Sequence, residues 1–421
     1  MVDAVKPRIL CISLTPLRRD ARVLRQIALL ASLGEVTTIG FGETPEGAAH
    51  HLRVPDGLAT LPQTPAGVAR LALRAHRSAE CSSPAARWVL RQRVPRDGLR
   101  AEGLEADGRG AGARPDGEPW VGEHWDLVVA NDARVLDLAF RLAGDAPVWA
   151  DLHEWAPEER THIRSWRLLV APFMVHLCAR YLPRAPLVTT VSEGIVELYR
   201  ERFGVDARLM TNAGPFRGIA VGPAPGNGGP APRVEDSPVR CVHSGAAIHG
   251  RGLERMIAAF LRLPERFTLD LFLVPGGDGG AHLRELRSLA AGSPRIAFRD
   301  PVAPAELPDA LAAYDLGVFW IPPTHTNARL TLPNKFFDYV QARLGLAIGP
   351  SEEMVRVLER YGLGVVSDSF EVEDLVASLR DVTAAQLDGW KRAADRAAEP
   401  LGFEAQAAPI RAALGQLLRP A

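Results

Sequence analysis

A restart constrains this chain more than any single motif does. Short apolar runs alternate with amphipathic segments of helical length, the pattern breaks off in a stretch dense in proline and glycine, and then it begins again. Residues 8–14 (RILCISL) read as a strand, 20–33 as a helix with Val23, Leu24, Ile27 and Leu30 inward, and 36–41 as the next strand. Strands at 126–130, 148–150 and 187–191 follow, separated by helices over 133–142 and 163–182. Ser192 is placed to cap a further helix that runs to 203. Such alternation gives parallel sheets with right-handed crossovers.

Residues 212–238 contain GPAPGNGGPAP and read as a linker. Beyond them come VRCVHSG, a helix from Leu253, LDLFLVP, a helix from Gly280, DLGVFWI, a helix opening at PNK, LAIG, a helix from Glu352 and GVVS. The predicted organisation is an α/β chain with two Rossmann-like βαβ domains, at 1–211 and 239–383, joined by the 212–238 linker. A charged, glycine-rich excursion over 93–122 is predicted to be mobile, and a helical segment over 384–421 is predicted to cross back to the first domain.

At 421 residues two domains are the default, and a net charge of −1 leaves no basic surplus for a nucleic-acid partner. The first apolar run is too short for a signal peptide. No stretch approaches the roughly 20 apolar residues of a membrane span. Cys11, Cys81, Cys178 and Cys241 show no CxxC spacing and read as reduced thiols of a cytoplasmic protein. The abundance of Ala, Arg, Gly and Pro fits GC-rich, bacterial coding and carries no function.

In open parallel sheets ligands bind at the carboxyl ends of the strands, so the residues just after strands matter most. In CVHSGAAIHGRGLERMI, Ser244 and Gly245 let the backbone approach a ligand, and Arg251 stands between two glycines just before a helix. A guanidinium there can hold phosphate oxygens in bidentate geometry, or it can be one solvated arginine on a loop. The G-x-G-x-x-G fingerprint is missing. VWADLHEW ends a strand with Asp151, His153 and Glu154 together. A neutral imidazole there could hydrogen-bond a substrate or act as a base, while Asp151 could instead cap a helix. No second His or Cys lies near His153 at ligand spacing, so no metal site is expected there. Asn131 and Asp132, at the previous strand end, fit a helix cap at least as well.

In TLPNKFFDYVQARLGLAIG, Phe336, Phe337, Val340 and Leu344 share one helical face, and Gly345 is expected to stop the helix. Pro333, Asn334 and Lys335 fall in its first turn, where a cation opposes the helix macrodipole. That placement makes sense if an anion is shared between the ammonium and the free N–H groups. There is no G-x-S-x-G elbow and no P-loop, which excludes the common hydrolase and kinase readings.

Taken in chain order, DARVLRQIALLASLGEVTTIGF, DLVVANDARVLDLA, VWADLHEW, VTTVSEGIVELYRERFG, SGAAIHGRGLERMIAAF, YDLGVFWI, LPNKFFDYVQARLGLAIG and YGLGVVS resemble the retaining glycosyltransferases of the family 4 type. The resemblance implies a GT-B fold, two Rossmann-like domains facing across a cleft. It further implies a nucleotide-diphosphate sugar donor on the C-terminal domain, and no metal and no cofactor. By position, Arg251 and Lys335 would hold the diphosphate, with Ser244, Gly245 and Asn334 beside it. Asp338 matches the second acid of the family's E-x7-E motif, at the ribose, and His153 the N-domain histidine near the transferred sugar.

The chain departs from the family pattern in three places. Leu330 stands where the first acid would fall, with His325 and Asn327 as polar substitutes nearby; Thr15-Pro16-Leu17 replaces a glycine pair; Ala246 and Ala247 replace a basic residue, leaving Arg251 more of the charge. The sugar and the stereochemical outcome are therefore left open. The acceptor is a glycan, a lipid-linked sugar or a small natural product. Arg70, Arg74 and Arg77 at i, i+4, i+7, and Arg160, Arg164 and Arg167 around Trp166, would suit peripheral contact at the inner face of a membrane. A sugar-nucleotide epimerase and a non-catalytic sugar-nucleotide-binding protein are the competing readings.

Overall fold

The computed structural model describes residues 6–92, 124–161, 163–219, 235, 237–303 and 306–419. The expected 93–122 excursion and most of the expected linker (220–234 and 236) lie outside them. The chain forms two compact units, Met1–Met210 with Pro409–Ala421, and Thr211–Ala408. The division falls inside the last helix, Phe403–Leu417, at Pro409.

The first unit carries a seven-stranded parallel sheet. Its strands are β1 (Arg8–Pro16), β2 (Glu35–Phe41), β3 (His50–Val54), β4 (Leu127–Asn131), β5 (Val148–Leu152), β6 (Leu187–Thr190) and β7 (Arg208–Leu209). They lie in the order β3-β2-β1-β4-β5-β6-β7. Every residue of LVVAN and VWADL is buried, as expected of central strands covered on both faces. The helix Ala21–Ala31 starts where Asp20 accepts a hydrogen bond from the Val23 amide (3.2 Å), and it buries Val23, Ile27 and Leu30.

The second unit repeats the plan with β8 (Val239–Ala247), β9 (Phe267–Pro275), β10 (Ile296–Arg299), β11 (Leu316–Phe319), β12 (Gly345–Ile348) and β13 (Gly364–Val366), in the order β10-β9-β8-β11-β12-β13. In both sheets the first strand lies between the second and the fourth. The chain therefore reverses its direction of winding between β1 and β4, and again between β8 and β11. Such switch points open a crevice beyond the strand ends.

Several local expectations are corrected. Ser192 stands before the helix Glu193–Phe203, but its side chain makes no capping bond. The 163–182 segment is not one regular helix: a π turn over Trp166–Val170 precedes the α-helix Ala171–Tyr181, which has Pro172 near its start. The helix after Pro333 runs Asn334–Gln341 and is ended by Arg343, whose φ of 62° is left-handed, while Gly345 already belongs to β12. Arg343 can do this because its guanidinium is tied to Asp395 (2.8 Å) and to the Gln341 and Arg217 carbonyls. Arg70, Arg74 and Arg77 do not share one helix, since Pro65–Ala72 ends before Arg74 turns to φ 57°. Residues 212–219 pack on the second unit: Asn212 donates to the Leu332 carbonyl (3.1 Å) and the Arg217 amide to Gln341 (2.9 Å).

Candidate functional site

At the β8/β11 switch point, His243, Ser244 and Gly245 continue β8 beyond its last pair with β11 while still paired with β9, beside the helix Asn334–Gln341. Phe336, Phe337, Tyr339 and Val340 anchor that helix in the core. It can lie this close because β11 offers Gly317: a Cβ there would stand 2.3 Å from the Tyr339 ring. The Tyr339 hydroxyl in turn accepts the Ser244 amide (3.2 Å), which fixes the end of β8. Seating Tyr339 in the sheet sets the position of Lys335, one helical turn earlier.

Lys335 is half-buried, with its ammonium 5.7 Å from the centre of the Phe319 ring and packed over Gly245. Burial, with the Arg251 charge added to it, lowers its pKa to about 8, against a smaller opposing pull from Asp338. Arg251 is also half-buried, and among the described residues neither cation forms a salt bridge. Two positive groups within each other's field, next to the open N–H groups of a helix start, form a site prepared for an anion. Pro333 stands at the cap position and makes no side-chain cap; the Phe336 N–H turns back to the Pro333 carbonyl (3.1 Å), which leaves the Asn334 and Lys335 N–H groups for an anion.

His243, which sequence reasoning treated only as part of a strand, faces the same place. Its Nδ1–H donates to the Val318 carbonyl (2.8 Å), so Nε2 carries the lone pair. Burial first, then the Lys335 and Arg251 charges, push its pKa down to about 3, and the ring stays neutral. Nε2 lies 3.6 Å from where a Cβ on residue 245 would be, on the side occupied by Lys335. The available signal was a histidine inside an apolar strand, two residues before the glycine. Asn334 is exposed at the helix start, Asp338 is half-buried one turn on from Asn334, and Leu330 is buried.

The first unit holds a different arrangement. Asp151, fully buried, is no helix cap. It accepts two bonds from Arg22 (2.7 Å from Nε, 2.6 Å from Nη2) and further bonds from Gln26 and Thr189. Burial alone would raise its pKa; the Arg22 charge and hydrogen bonds, joined by His153, outweigh that and hold it far below the carboxylate range. Arg22 also donates to the Met210 carbonyl (2.8 Å). His153 turns Nε2 toward Asp151 (3.1 Å) and Asn131 (3.4 Å), which leaves Nδ1 as the ring atom for a ligand. Burial opposes its proton, but Asp151 more than compensates and raises the His153 pKa. Asp132, next to Asn131, holds φ 79° and ψ 154°, a region nearly reserved for glycine, and its carboxylate accepts the Ala133 amide (2.6 Å).

The sequence matches no family model and no curated protein. The structure is similar to Anabaena HepE in complex with UDP and glucose, with TM-score 0.59 and 15% identity over 97% of this chain and 100% of that one. It is similar to sucrose-phosphate synthase from Thermosynechococcus elongatus (TM-score 0.64, 12% identity, 98% and 99% covered). It is also similar to a glycosyltransferase from Rickettsia africae (TM-score 0.61, 10% identity, 99% and 100% covered). At such identities the likeness speaks for architecture: the chain has the two-domain, Rossmann-like GT-B fold. Among the described residues no helix is long and apolar enough to cross a membrane.

Proposed function

We propose that this protein is a glycosyltransferase of the family 4 type, moving a sugar from a nucleotide-diphosphate sugar to an acceptor with retention and without a metal ion or cofactor in the reaction. The observation that carries the reading is the pair of half-buried cations, Lys335 and Arg251, without salt-bridge partners among the described residues, at the β8/β11 switch point. When the bond from the sugar carbon to the diphosphate oxygen breaks, its electron pair stays on that oxygen. Lys335, Arg251 and the first-turn N–H groups, Asn334 included, stabilise that growing charge, which is greater in the transition state than in the bound donor. Gly245 and Ser244 keep the strand end low enough for the diphosphate to approach, and Asp338 receives the ribose hydroxyls. His153 acts on the sugar side through Nδ1, its ring oriented by Asp151.

HepE, bound to UDP in one complex and to UDP-glucose in another, makes uridine nucleotides the first donors to test. Calorimetric titration with UDP, and UDP release from a panel of UDP-sugars, tests the reading. No stabilisation by any nucleoside diphosphate, with turnover indifferent to Lys335, would sink it. Buried Leu330, at the position of the family's first acid, favours one second reading, a sugar-nucleotide-binding protein that transfers nothing. UDP binding without UDP release from any donor would select that reading.

A lipid-linked acceptor, met by a cytoplasmic protein at the inner face of a membrane, is supported by exposed apolar groups on neighbouring elements. Leu73 (79% exposed) and Val68 follow and lie on the helix Pro65–Ala72; Leu168 lies in the adjacent π turn and Ile163 just before it. Arg70, Arg74, Arg164 and Arg167 flank them in the sequence. Such a patch suits an anionic interface. Absence of co-sedimentation with anionic liposomes at low salt would leave the glycan or small-molecule acceptor in its place.

A further inference from the structure

We infer that the second unit contains a binding site for a zinc-like divalent cation, built from His249, His282 and Glu285 and supported by Glu254. His249 lies on the loop after β8, two residues before Arg251. His282 and Glu285 lie on the helix Ala281–Leu289, and Glu254 in the first turn of the helix Leu253–Arg262. One ligand atom from each of His249, His282 and Glu285 falls within 4.8 Å of the others. Glu285 Oε2 stands 3.2 Å from His282 Nδ1 and 3.8 Å from His249 Nε2. Nitrogen and oxygen ligands about 2.0–2.2 Å from a tetrahedral zinc are separated from one another by roughly 3.3 Å. The Glu285–His282 pair already stands at that separation, and His249, which is exposed, must rotate to bring its nitrogen in from within 4.8 Å of the others.

His282 supplies the independent observation. It is fully buried, and its Nε2 has no hydrogen-bond partner although Glu254 Oε1 lies only 3.5 Å away. With Nδ1 on a cation, Nε2 must carry the proton and face a carboxylate, which is the pairing that orients metal-bound imidazoles. The two imidazole rings lie 3.8 Å apart between centres, so the exposed His249 ring must turn away from the buried His282 ring for both to point a nitrogen at one ion. Two imidazoles and a carboxylate select zinc-like ions over magnesium or calcium. The ion is separate from the proposed transfer reaction: it would tie the loop that carries Arg251 to the neighbouring helix. The 33-residue gap from His249 to His282 hides the site from any spacing rule.

Metal-stripped full-length protein titrated with Zn²⁺ alone, by calorimetry and melting, tests the inference independently of any donor. One saturable site per chain is expected, with a rise in melting temperature reversed by chelator, and Co²⁺ should show the visible absorption of a tetrahedral complex. His249→Ala and Glu285→Ala, at exposed positions that the fold tolerates, should each weaken Zn²⁺ by more than about 100-fold, and Glu254→Gln by about 10–100-fold. His124→Ala, at an exposed histidine elsewhere, should change nothing. No saturable binding, or binding that His249→Ala and Glu285→Ala leave intact, overturns the site.

Discussion

Lys335 occupies the space that a side chain on residue 245 would need. A Cβ at Gly245 would stand 2.6 Å from Lys335 Cε and 3.0 Å from Nζ. The glycine and the lysine, 90 residues apart, therefore form one unit, and the lysine rests where it does because the strand end carries no side chain.

Gly245→Ala should displace the ammonium, since the atoms it meets belong to a flexible chain end, and it should also strain the backbone, because residue 245 holds φ 157°. UDP affinity and donor turnover are expected to fall about 10–100-fold, the scale of an ångström-sized misplacement, with a lowered melting temperature reporting the backbone strain separately. Wild-type affinity in this variant would show that the lysine's rest position is irrelevant to binding.

Lys335→Ala should reduce donor turnover by about 10²-fold or more, as the loss of one charge-stabilising donor does. The empty protein should be as stable as wild type or more so, because a half-buried cation in a first helical turn, beside Arg251, is unfavourable without its anion. An early-melting variant that still transfers sugar normally would assign Lys335 a structural role.

The Lys335 proton gives a pH signature. Its folded pKa of about 8 lies below the unfolded 10.5, so the unfolded chain binds the proton more tightly between those values. This group's contribution to unfolding free energy therefore rises with pH across the window, opposite in sign to that of a lysine stabilised by a partner. UDP affinity should instead decline above pH 8 as the ammonium is lost. Denaturation and calorimetry from pH 7 to 10.5 should show both trends in wild type, and Lys335→Met should flatten both.

Breaking the Arg22–Asp151 pair should be expensive. Arg22→Met leaves a fully buried carboxylate without its countercharge and should destabilise by about 3–5 kcal/mol, read from urea denaturation. Arg22→Met combined with Asp151→Leu should lose less than the two single changes added together. Additive losses would mean that the two residues are not coupled.

His153 should titrate above the 6.5 of a free imidazole, because the Asp151 carboxylate more than offsets burial. The pair's stabilisation is then complete below the unfolded value and fades as pH rises through the folded one. Ring-proton chemical shifts followed from pH 5 to 9 give the midpoint directly, and a value at or below 6.5 contradicts the Asp151 contact.

The architecture was legible because periodicity reports burial. LVVAN and VWADL could be read as central strands, and the Phe336–Phe337–Val340 face as core, from residue type alone. Short edge elements were not: β3, β7 and β10 lack the all-apolar runs of central strands, and HHLRV looks like a polar loop until it pairs with β2. Lys335 stood out because it violated a local rule, whereas His243 violated none strongly enough to be noticed. Asp151 was legible as a conspicuous residue but not in its role, since its principal partner, Arg22, lies 129 residues earlier on a helix that periodicity describes only by its apolar face. Arg343 was missed for a similar reason: a left-handed arginine becomes plausible only when Asp395 and two carbonyls hold its guanidinium.

Asp132 shows where thermal tolerance and activity part company. Its backbone lies in a region that glycine enters freely and that disfavours an aspartate by about 1–3 kcal/mol. A library at this codon selected only for survival of heating should drift to glycine first. The same library selected for turnover should keep the carboxylate, because it lies at the β1/β4 switch point, where the first sheet opens. The ratio of glycine to aspartate recovered under the two regimes would measure how much durability this protein has exchanged for the proposed activity at one position.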